Sequence, residues 1–350
     1  MTRVLLTMVG AQTSPGIIKA LKEDGEIYIV GIDPTKLVSG AYMVDSFHHI
    51  TASFIDENKY IEELFEICKK EKVEIILPCG NEDCLAITRA HERFDSIGVK
   101  IASSEYDTLN IAFDKYTAYN FVKESCPEFA PEFYLIKTPD DFIKYSNILG
   151  YPDRKIVMKP RHGRGGRGVY VIEPDLNFGE LLRNKPEGRY PFSVIKGLLD
   201  DEFEEFILME YLPGKIFSTY ALCENGNSLT VIPHVRIWGN ASNTLIGRVE
   251  LDEEITEGIK KINKKFNFNF NVNYELKEDQ SGLPKIFDIN PRMAASTAIF
   301  RNIGINIPYL SIKLALGEKT KAPEPKEGTV MMRYLEEINL DVKNGKIFTI

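Results

Sequence analysis

Apolar strands alternating with amphipathic helices dominate the first hundred residues. Strand-length apolar runs occupy residues 3–9, Ile27–Ile32 and Val73–Leu77. Ser14 is predicted to cap a helix over Gly16–Glu23 with Pro15 at its first position, and a second helix is predicted over residues 57–71. Strands joined by helices form a parallel sheet that helices cover on both faces. The pattern predicts the α/β class, with a Rossmann-like N-terminal domain over residues 1–110.

After residue 110 the pattern changes to mixed α+β with hairpin turns. Glu253–Phe266 carries apolar side chains at helical spacing, which is typical of a stripe that faces the core. Hairpin turns are predicted at Cys223–Asn227, at Glu278–Gly282 between Val272–Leu276 and Lys285–Asn290, and at Asn344-Gly345. The remaining predicted domains are two lobes, over residues 111–208 and 209–335, and a C-terminal hairpin over residues 336–350.

The loop after the first strand raises the question of a dinucleotide site. Gly10–Gly16 follows that strand, and Asp33 ends the second strand. The loop lacks the G-x-G-x-x-G spacing that lets a backbone approach a pyrophosphate. A Rossmann-like domain that binds no dinucleotide is therefore favoured over an NAD site. Asn81-Glu82-Asp83, after the third strand, is expected to face a crevice, and Glu82 is a candidate substrate-binding residue.

The run Ile286–Arg292 brings oxygen ligands to one face of a strand. Side chains alternate along a strand, so Asp288 and Asn290 point the same way, and Asn273 on the preceding strand is expected opposite Asp288. Such oxygen ligands suit Mg²⁺, which completes its octahedron with water and substrate phosphate. Arg292 leaves the strand beside this face, placed for a phosphate or a carboxylate. The alternative is an edge strand with a surface salt bridge.

A glycine-rich hairpin is predicted after the strand Ile156–Lys159. Its glycines allow positive φ and let backbone N–H groups approach an anion, and Lys159 can reach phosphate oxygens. The spacing is not that of a P-loop, and a strand rather than a helix follows. The hairpin is expected to cover nucleotide phosphates, and a mobile surface hairpin is the alternative. The glycines are Gly163, Gly165, Gly166 and Gly168.

Two further segments carry groups that suit a nucleotide or a substrate. An apolar strand from Phe206 runs into Glu210-Tyr211-Leu212, whose backbone can pair with adenine while Glu210 accepts from the exocyclic amine. The alternative for this segment is a plain buried strand. Arg236 and Arg248 flank the residues 238–242, and they could hold a substrate carboxylate or be ordinary surface arginines.

Composition limits the classes of protein to be considered. With 43% hydrophobic and 27% charged residues, the 350-residue chain is typical of soluble globular proteins of two or three domains. Its net charge of −8 argues against a nucleic-acid or anionic-membrane surface, and no apolar run is long enough to span a membrane. No signal-peptide pattern is present, and the five cysteines contain no CxxC pair. A cytoplasmic protein is expected.

The order of these segments resembles ATP-grasp enzymes of the carbamoyl-phosphate-synthase-large-subunit-like branch, over nearly the whole chain. The resemblance implies a Rossmann-like pre-ATP-grasp domain followed by a two-lobed α+β ATP-grasp domain, with ATP and Mg²⁺, or Mn²⁺ in its place, as cofactors. It implies an ATP site of Lys115, Lys159, Gly163, Gly165, Gly166, Gly168, Glu210, Tyr211 and Leu212. It also implies metal ligands Asn273, Asp288 and Asn290, with Arg292 steadying a phosphorylated intermediate, so that the catalytic set is Arg292, Asp288 and Asn290.

Several positions depart from the family pattern. Asp288 stands where glutamate is commoner, and Asn273 stands where glutamine or glutamate is usual. Both side chains are one methylene shorter, so the metal must lie nearer the sheet or use more water, and Glu275 could compensate. Ile216 and Tyr220 occupy positions where the family often carries a ribose-binding glutamate and an aspartate. These two positions leave open a weakened or silent ATPase.

The resemblance implies a ligase that joins a small carboxylic acid, such as an amino acid, to an amine through an acyl phosphate, releasing ADP and phosphate. Such phosphoryl transfer depends on positioning and charge neutralisation rather than on a protein nucleophile. Carbamoyl-phosphate-type chemistry, a silent ATP-binding module and a nicotinamide oxidoreductase are the alternatives. Ala295 replaces an arginine of carbamoyl phosphate synthases, which favours a larger acid over bicarbonate. The expected partners are small-molecule carboxylate and amine substrates, Arg292 being a further substrate contact, with no nucleic acid and no membrane; a homodimer is left open.

Overall fold

The computed structural model describes the chain except residues 24, 164–166, 175–178, 180–182, 184–187, 240–243, 295–296, 302, 335, 342–345 and 349–350. The chain divides into two units. The first unit contains Met1–Asn110, Ser218–Tyr274 and Asn290–Ile350, and the second contains Ile111–Phe217 and Glu275–Ile289. These units combine separated segments, whereas the predicted domains follow the sequence, so the predicted borders stay predictions.

The N-terminal part of the first unit forms the parallel sheet that its alternating pattern predicts. Its five strands have the order β3-β2-β1-β4-β5 and all pair in parallel, which confirms the Rossmann-like prediction. The strands are β1 Thr2–Leu6, β2 Ile27–Asp33, β3 Ser46–His49, β4 Ile75–Leu77 and β5 Lys100–Ile101. The helices along this stretch are α1 Ser14–Glu23, α2 Glu57–Glu71, α3 Asn81–Arg89, α4 His91–Asp95 and α5 Tyr106–Phe113, with a 3₁₀ turn at Ser39–Tyr42.

Asp33 fixes the loop that follows the first strand. Its Oδ2 accepts the Gly10 N–H at 2.8 Å, and its Oδ1 accepts the Thr35 N–H at 2.8 Å. A Cβ on Gly10 would lie 2.7 Å from Asp33 Oδ2, so close approach to this carboxylate accounts for the glycine. The first strand is shorter than predicted and ends at Leu6, because Met8 adopts a left-handed φ of 54° that interrupts the extended chain.

Two helix starts differ from their predictions. Ser14 is the first residue of α1 rather than its cap, and its hydroxyl donates to the Met8 carbonyl oxygen at 2.7 Å. Asn81 begins α3, so Glu82 and Asp83 lie in the first turn of a helix rather than in a loop. Acidic side chains are favourable there, because the helix dipole presents partial positive charge at its N-terminus.

The second unit is an α+β lobe built on a five-stranded sheet of the order β6-β10-β7-β8-β9. Strand β10 pairs antiparallel with β6 and β7, and β7 pairs antiparallel with β8 as the glycine-rich hairpin requires. The strands are β6 Phe133–Ile136, β7 Ile156–Pro160, β8 Tyr170–Glu173, β9 Arg189–Pro191 and β10 Phe206–Glu210. The helices are α6 Lys115–Ser125, α7 Pro139–Ile148 and α8 Phe192–Leu198, with a 3₁₀ turn at Pro127–Phe129.

A six-stranded sheet of the order β15-β14-β11-β12-β13-β16 follows in the chain. Its strands are β11 Ile216–Glu224, β12 Asn227–Gly239, β13 Thr244–Val249, β14 Phe270–Glu278, β15 Pro284–Asn290 and β16 Val330–Met332. The helices along this stretch are α9 Glu253–Phe266, α10 Ala298–Arg301 and α11 Ile307–Ala315. Asn225 and Gly226 both have positive φ, 49° and 76°, as a tight hairpin turn between β11 and β12 requires.

At the C-terminus β17 Asn339–Asp341 and β18 Lys346–Phe348 pair antiparallel. The predicted turn at Asn344-Gly345 lies outside the described residues. Within the part of the chain that the structure describes, no helix is both long enough and apolar enough to cross a membrane.

Gly40 provides a test of the packing around the first strand. A Cβ at this position would lie 2.0 Å from the Val9 carbonyl oxygen, so a side chain requires the backbone to move. Gly40→Ala is expected to lower the free energy of unfolding by about 2–3 kcal/mol. Gly197→Ala is the matched control, because nothing lies within 4 Å of its Cβ and alanine favours the helix α8. Urea unfolding that gives equal stabilities for the two variants would contradict this packing.

Candidate active site

Lys159 is buried at the end of β7, with 4% of its surface exposed. Its Nζ donates to the Tyr119 hydroxyl oxygen at 2.6 Å and to the Phe287 carbonyl oxygen at 2.8 Å. The Tyr119 hydroxyl donates to the same carbonyl at 2.5 Å. An ammonium group has three N–H donors, and these neutral partners use two of them. Lys159 is therefore held firmly, by groups that do not neutralise its charge.

Lys115 lies near this buried ammonium as the first residue of α6. Its Nζ donates to the Gly163 carbonyl oxygen at 2.8 Å and lies 3.6 Å from Asp288 Oδ1. The helix begins here because the Asp114 side chain caps it, accepting from the backbone N–H groups of the next turn. Asp114 also accepts from the Arg161 guanidinium at the end of β7, at 2.8 Å from Nε. Local capping and this ion pair together place Lys115 against the glycine-rich hairpin.

The electrostatics of this group favour an anion. The pKa of Lys159 is lowered to about 7, because burial and the charge of Lys115 lower it by more than the charge of Asp288 raises it. Two lysines thus face one carboxylate, and the buried one is poorly solvated. An anion arriving beside Lys159 would restore its proton and replace the solvation lost on burial. The structure brings together Lys115, Lys159, Gly163 and Asp288 of the predicted site.

The glycine-rich hairpin is described at both of its ends. Gly168 has a φ of 71°, and a Cβ there would lie 2.9 Å from Pro160 Cγ, so both conformation and space require glycine. Gly163 holds Lys115 through its carbonyl group. Gly165 and Gly166 lie outside the described residues, and their contact with phosphate stays a prediction.

The linker after β10 is anchored differently from its prediction. A Glu210 carboxylate oxygen accepts the Glu132 N–H at 2.8 Å, and burial raises the pKa of Glu210. The Tyr211 ring has the ammonium groups of Lys155 and Lys277 at 5.6 and 5.0 Å from its centroid. The carboxylate expected to meet the adenine amine thus already binds a backbone donor. Adenine recognition by Glu210, Tyr211 and the buried Leu212 stays a prediction.

In the first unit Arg292 is fixed by amide oxygens. Its Nε donates to Asn81 Oδ1 at 2.6 Å, and its Nη2 donates to Asn290 Oδ1 at 3.3 Å. Its Nη1 donates to the Met293 carbonyl oxygen at 2.9 Å. The partnership with Asn81 was not predicted, although the polar run after β4 indicates a crevice there. Glu82 follows Asn81 on α3 and keeps its predicted role only as a prediction.

The three predicted metal ligands fall in different units. Asn273 lies in the first unit, 3% exposed, where its Oδ1 accepts the Ser218 hydroxyl at 3.1 Å. Asn290 belongs to the same unit, whereas Asp288 belongs to the second. The metal face and the position of Asn273 opposite Asp288 therefore stay predictions. Among the described residues, no group of three or more His, Cys, Asp or Glu side chains is arranged to hold a metal ion.

Tyr220, one of the departures from the family pattern, is a core residue of the first unit. Its hydroxyl donates to Asn271 Oδ1 at 2.7 Å, and Asn271 Nδ2 donates to Ser311 Oγ at 3.0 Å. Its ring packs against Phe300 with centroids 5.5 Å apart, and burial raises the pKa of the phenol. Tyr220 is thus a hydrogen-bonded packing residue of this core, and its equivalence to a family aspartate stays a prediction.

Arg236 and Arg248 lie on opposite faces of the β12–β13 ladder. Arg236 pairs with Gly247 and Arg248 pairs with Val235, so the register places the two arginines one step apart. Arg236 Nε donates to Thr244 Oγ1 at 3.1 Å, and Arg248 Nη2 donates to a Glu250 carboxylate oxygen at 2.7 Å. A joint role of both in one carboxylate site, which the sequence had left open, does not fit this geometry.

Comparison with known families matches two parts of the chain. Residues 202–338 match the family described as "ATP-grasp in the biosynthetic pathway with Ter operon". Residues 4–102 match the family described as "PylC-like, N-terminal domain". The chain therefore carries an ATP-grasp domain preceded by a PylC-like N-terminal domain, which confirms the resemblance to ATP-grasp proteins. The carbamoyl-phosphate-synthase-like branch stays a prediction.

Individual relatives are distant. D-alanine–D-alanine ligase of Thermotoga maritima is 28% identical over 139 residues, 40% of this chain and 38% of that protein. Phosphoribosylamine–glycine ligase of Methanococcoides burtonii is 25% identical over 176 residues, 50% of this chain and 37% of that protein. The chain thus spans less than two fifths of the length of these curated relatives.

Solved structures share the fold over almost the whole chain. The N5-carboxyaminoimidazole synthetase of Staphylococcus aureus with ADP has a TM-score of 0.68 at 18% identity, covering 95% of this chain and 82% of that one. The biotin carboxylase domain of Hydrogenobacter thermophilus 2-oxoglutarate carboxylase, with MgADP and bicarbonate, has a TM-score of 0.66 at 18% identity. It covers 94% of this chain and 73% of that one. At these identities the likeness shows the fold alone.

The lowered pKa of Lys159 makes folding stability depend on pH. An ordinary lysine stays protonated up to about pH 10.4 in the unfolded chain, whereas folded Lys159 is protonated only below about 7. Between these values folding releases a proton, so this residue's contribution to stability rises as pH rises. Lys159→Met abolishes that dependence. The free energy of unfolding of the variant relative to wild type should therefore fall by on the order of 3 kcal/mol between about pH 6.5 and pH 9.5.

Urea titrations at intermediate pH values measure this difference. Lys144→Met on the exposed face of α7 serves as the control and should show no comparable dependence. A Lys159→Met difference that is constant with pH would show that the ammonium is solvated normally.

Proposed function

We propose that this ATP-grasp chain is an ATP- and Mg²⁺-dependent ligase that joins a small carboxylic acid to an amine through an acyl phosphate, releasing ADP and phosphate. The observation that carries the proposal is the group of Lys115, Lys159 and Asp288 beside the glycine-rich hairpin. Its two lysines converge at one end of a buried strand, and their contacts and charge support an anion as the ligand.

Lys159 is the stronger argument for a phosphate ligand. A lysine buried among apolar neighbours and neutral acceptors costs stability, because its charge loses solvation that a carbonyl and a hydroxyl replace only in part. A structural role does not require the charge. Its remaining N–H donor and that of Lys115, which also holds the hairpin at Gly163, suit the closely spaced oxygens of a triphosphate.

The proposed reaction proceeds in two displacements. An oxygen of the acid's carboxylate attacks the γ-phosphorus, and the bond from that phosphorus to the β,γ-bridging oxygen breaks to release ADP. The amine nitrogen then attacks the acyl carbon, the carbon–oxygen bond to phosphate breaks, and the amine loses a proton. Lys159 and Lys115 hold the phosphoryl oxygens in line, and Arg292 steadies the carboxylate as it becomes an acyl phosphate.

By the chemistry of their donor atoms alone, the predicted metal ligands suit a magnesium ion that is shared with the nucleotide. Asp288 is the one carboxylate among them, and Asn273 and Asn290 offer amide oxygens, all of them hard ligands. Mg²⁺, or Mn²⁺, supplies neutralisation of phosphate charge when bound. A single carboxylate gives little affinity for a bare cation, so these residues suit a metal that arrives with ATP.

The cysteines suit a reducing compartment. Cys68, Cys84, Cys126 and Cys223 are buried and Cys79 is half-buried, and none of the five forms a disulfide within the part of the chain that the structure describes. Free thiols are the normal state of cysteine in the cytoplasm. We place the protein there, acting on small molecules, with its oligomeric state to be measured.

Nucleotide affinity tests the lysine group. Lys159→Ala removes a charge-assisted hydrogen bond worth roughly 1.5–3 kcal/mol, so MgATP should bind about tenfold to a hundredfold more weakly by calorimetry. Lys144→Ala, an exposed lysine of the same unit, is the charge-matched control and should bind normally. Unchanged affinity in a folded Lys159→Ala protein would remove the triphosphate from this position.

Turnover is tested by measuring ADP release over amino acids and small acids, singly and paired with amines. An acid–amine pair should stimulate release, and Asp288→Asn should abolish it while melting normally, because the amide removes the negative metal ligand. MgATP binding without ADP release for any pair would make the chain a silent nucleotide-binding module.

Bicarbonate distinguishes the remaining alternative. Ala295, which lies outside the described residues, supplies no second cation for a compact dianion. Bicarbonate alone is therefore expected to leave ADP release at its basal rate, whereas an organic acid raises it. Strong bicarbonate-dependent ATP hydrolysis would favour carbamoyl-phosphate-type chemistry.

A further inference from the structure

Two arginines that are distant in sequence share one face of the six-stranded sheet. Arg236 on β12 pairs with Gly247 on β13, and Gly247 pairs with Met331 on β16. The Arg333 N–H donates to the Leu245 carbonyl oxygen at 2.9 Å, which extends the β13–β16 ladder by one residue pair. Residues directly across a ladder share a face, and so do residues two apart along a strand. Arg236 and Arg333 therefore project to the same side, from the two strands that flank β13.

The strand between the two arginines has no side chain across from Arg236. Gly247 occupies that position, and a Cβ there would lie 3.0 Å from Thr244 Cγ2 and 3.4 Å from the Val235 carbonyl oxygen. Arg236 is held at this end of β13 by its hydrogen bond to Thr244. The absence of a side chain on Gly247 thus lets the Thr244 methyl group and the His234 ring lie close to the sheet between the two arginine positions.

His234 lies on the same face, two residues before Arg236, and is fully buried. Among the described residues, neither of its ring nitrogens has a hydrogen-bond partner of standard geometry. The pKa of His234 is lowered to about 3, because burial and the charges of Arg236 and Arg333 lower it by more than a backbone interaction with Ile232 raises it. The ring is therefore neutral near pH 7, and its one N–H interacts with the Ile232 backbone in a geometry outside that of a standard hydrogen bond. Two guanidinium groups beside a buried neutral ring form a suitable site for a carboxylate.

This group is close to the surroundings of Arg292. The ring of His234 contacts Phe300 at a centroid distance of 5.6 Å, and Phe300 contacts Tyr220 at 5.5 Å. Burial raises the pKa of the Tyr220 phenol, and the charge of Arg292 partly offsets that effect by lowering the pKa. The ring of Phe300 thus lies between His234 and Tyr220, and all three residues belong to the first unit with Arg292.

We propose that Arg236 and Arg333 bind a second carboxylate of the acid substrate beside the His234 ring, so that the acid is a dicarboxylate. The proposal rests on the proposed ligase function for the role of Arg292 at the reacting carboxylate. The binding of a dicarboxylate does not require turnover. Arg333 would then be a specificity-determining residue that local sequence patterns do not reveal.

Calorimetric titration of the full chain without nucleotide tests the subsite. The probes are linear dicarboxylates from malonate to adipate and monocarboxylates of matched length. One dicarboxylate should bind at least about tenfold more tightly than its monocarboxylate match. Arg333→Gln and Arg236→Gln should each weaken that binding roughly tenfold to a hundredfold.

Three further variants sharpen the result. Arg93→Gln is the charge-matched control and should bind as wild type does. Arg93 lies on α4 and forms an exposed ion pair with Glu62 on α2. Arg333→Lys keeps the charge but not the bidentate fork, so an intermediate affinity is expected even if Arg333→Gln does not fold. Arg248→Gln removes the arginine of the opposite face. Three results would overturn the proposal. They are equal affinity for dicarboxylates and monocarboxylates, no binding of any dicarboxylate, and weakened dicarboxylate binding in Arg248→Gln while Arg333→Gln and Arg333→Lys bind as wild type does.

Parallel measurement of ADP release separates the two proposals. Dicarboxylate binding that depends on Arg333, without ADP release for any amine, would leave the subsite and remove the ligase function. ADP release that is stimulated only by a monocarboxylic acid and unaffected by Arg333→Gln would leave the ligase and remove the subsite.

Discussion

The buried ammonium of Lys159 is the constraint on which the second unit depends. Taking a lysine out of water costs several kcal/mol unless charged or strongly polar partners replace its solvation. Here the direct partners are the Phe287 carbonyl and the Tyr119 hydroxyl, brought by β15 and α6 to the end of β7. Three separate segments are therefore arranged around one cation. The buried lysine is present despite this cost in stability, and a role of its charge in binding an anionic ligand explains why.

The neighbouring residues extend the same arrangement. Asp114 caps α6 and pairs with Arg161, and this pair sets the position of Lys115. Lys115 in turn holds the glycine-rich hairpin at Gly163 and approaches Asp288. In the first unit, the side-chain amide oxygens of Asn81 and Asn290 instead accept hydrogen bonds from Arg292 and hold it in place. Lys159 in the second unit and Arg292 in the first are thus held by neutral groups, which leaves their charge for a ligand.

The sequence predicted those features that depend on local pattern. The bounds of α2 and α9 follow from amphipathic periodicity, and the glycine-rich hairpin follows from composition between two apolar runs. Lys115 and Lys159 were found because each stands at a recognisable boundary, a helix start and a strand end. The resemblance to a family supplied their order, and the structure brings them into one group.

Features that depend on long-range pairing were not predictable. The register of β12 against β13 separates Arg236 from Arg248, and nothing local encodes that register. Arg333 joins Arg236 through pairing between segments about a hundred residues apart in the chain. The role of Tyr220 as a buried packing residue follows from its hydrogen bond to Asn271, a tertiary contact that the sequence does not reveal. Such effects arise from tertiary contacts, which override or supplement the local pattern.

The most direct test of the account is an NMR titration of Lys159 in protein that carries ¹³C-labelled lysine, with the signal assigned by its loss in Lys159→Met. The account predicts a pKa of about 7 for this ammonium in the free protein. It also predicts that MgATP raises that pKa by roughly 2 or more, because phosphate favours the charged form. Titration at the ordinary lysine value of about 10.4 in the free protein, or a pKa that MgATP does not change, would contradict the claim that Lys159 is a buried cation kept for a phosphate ligand.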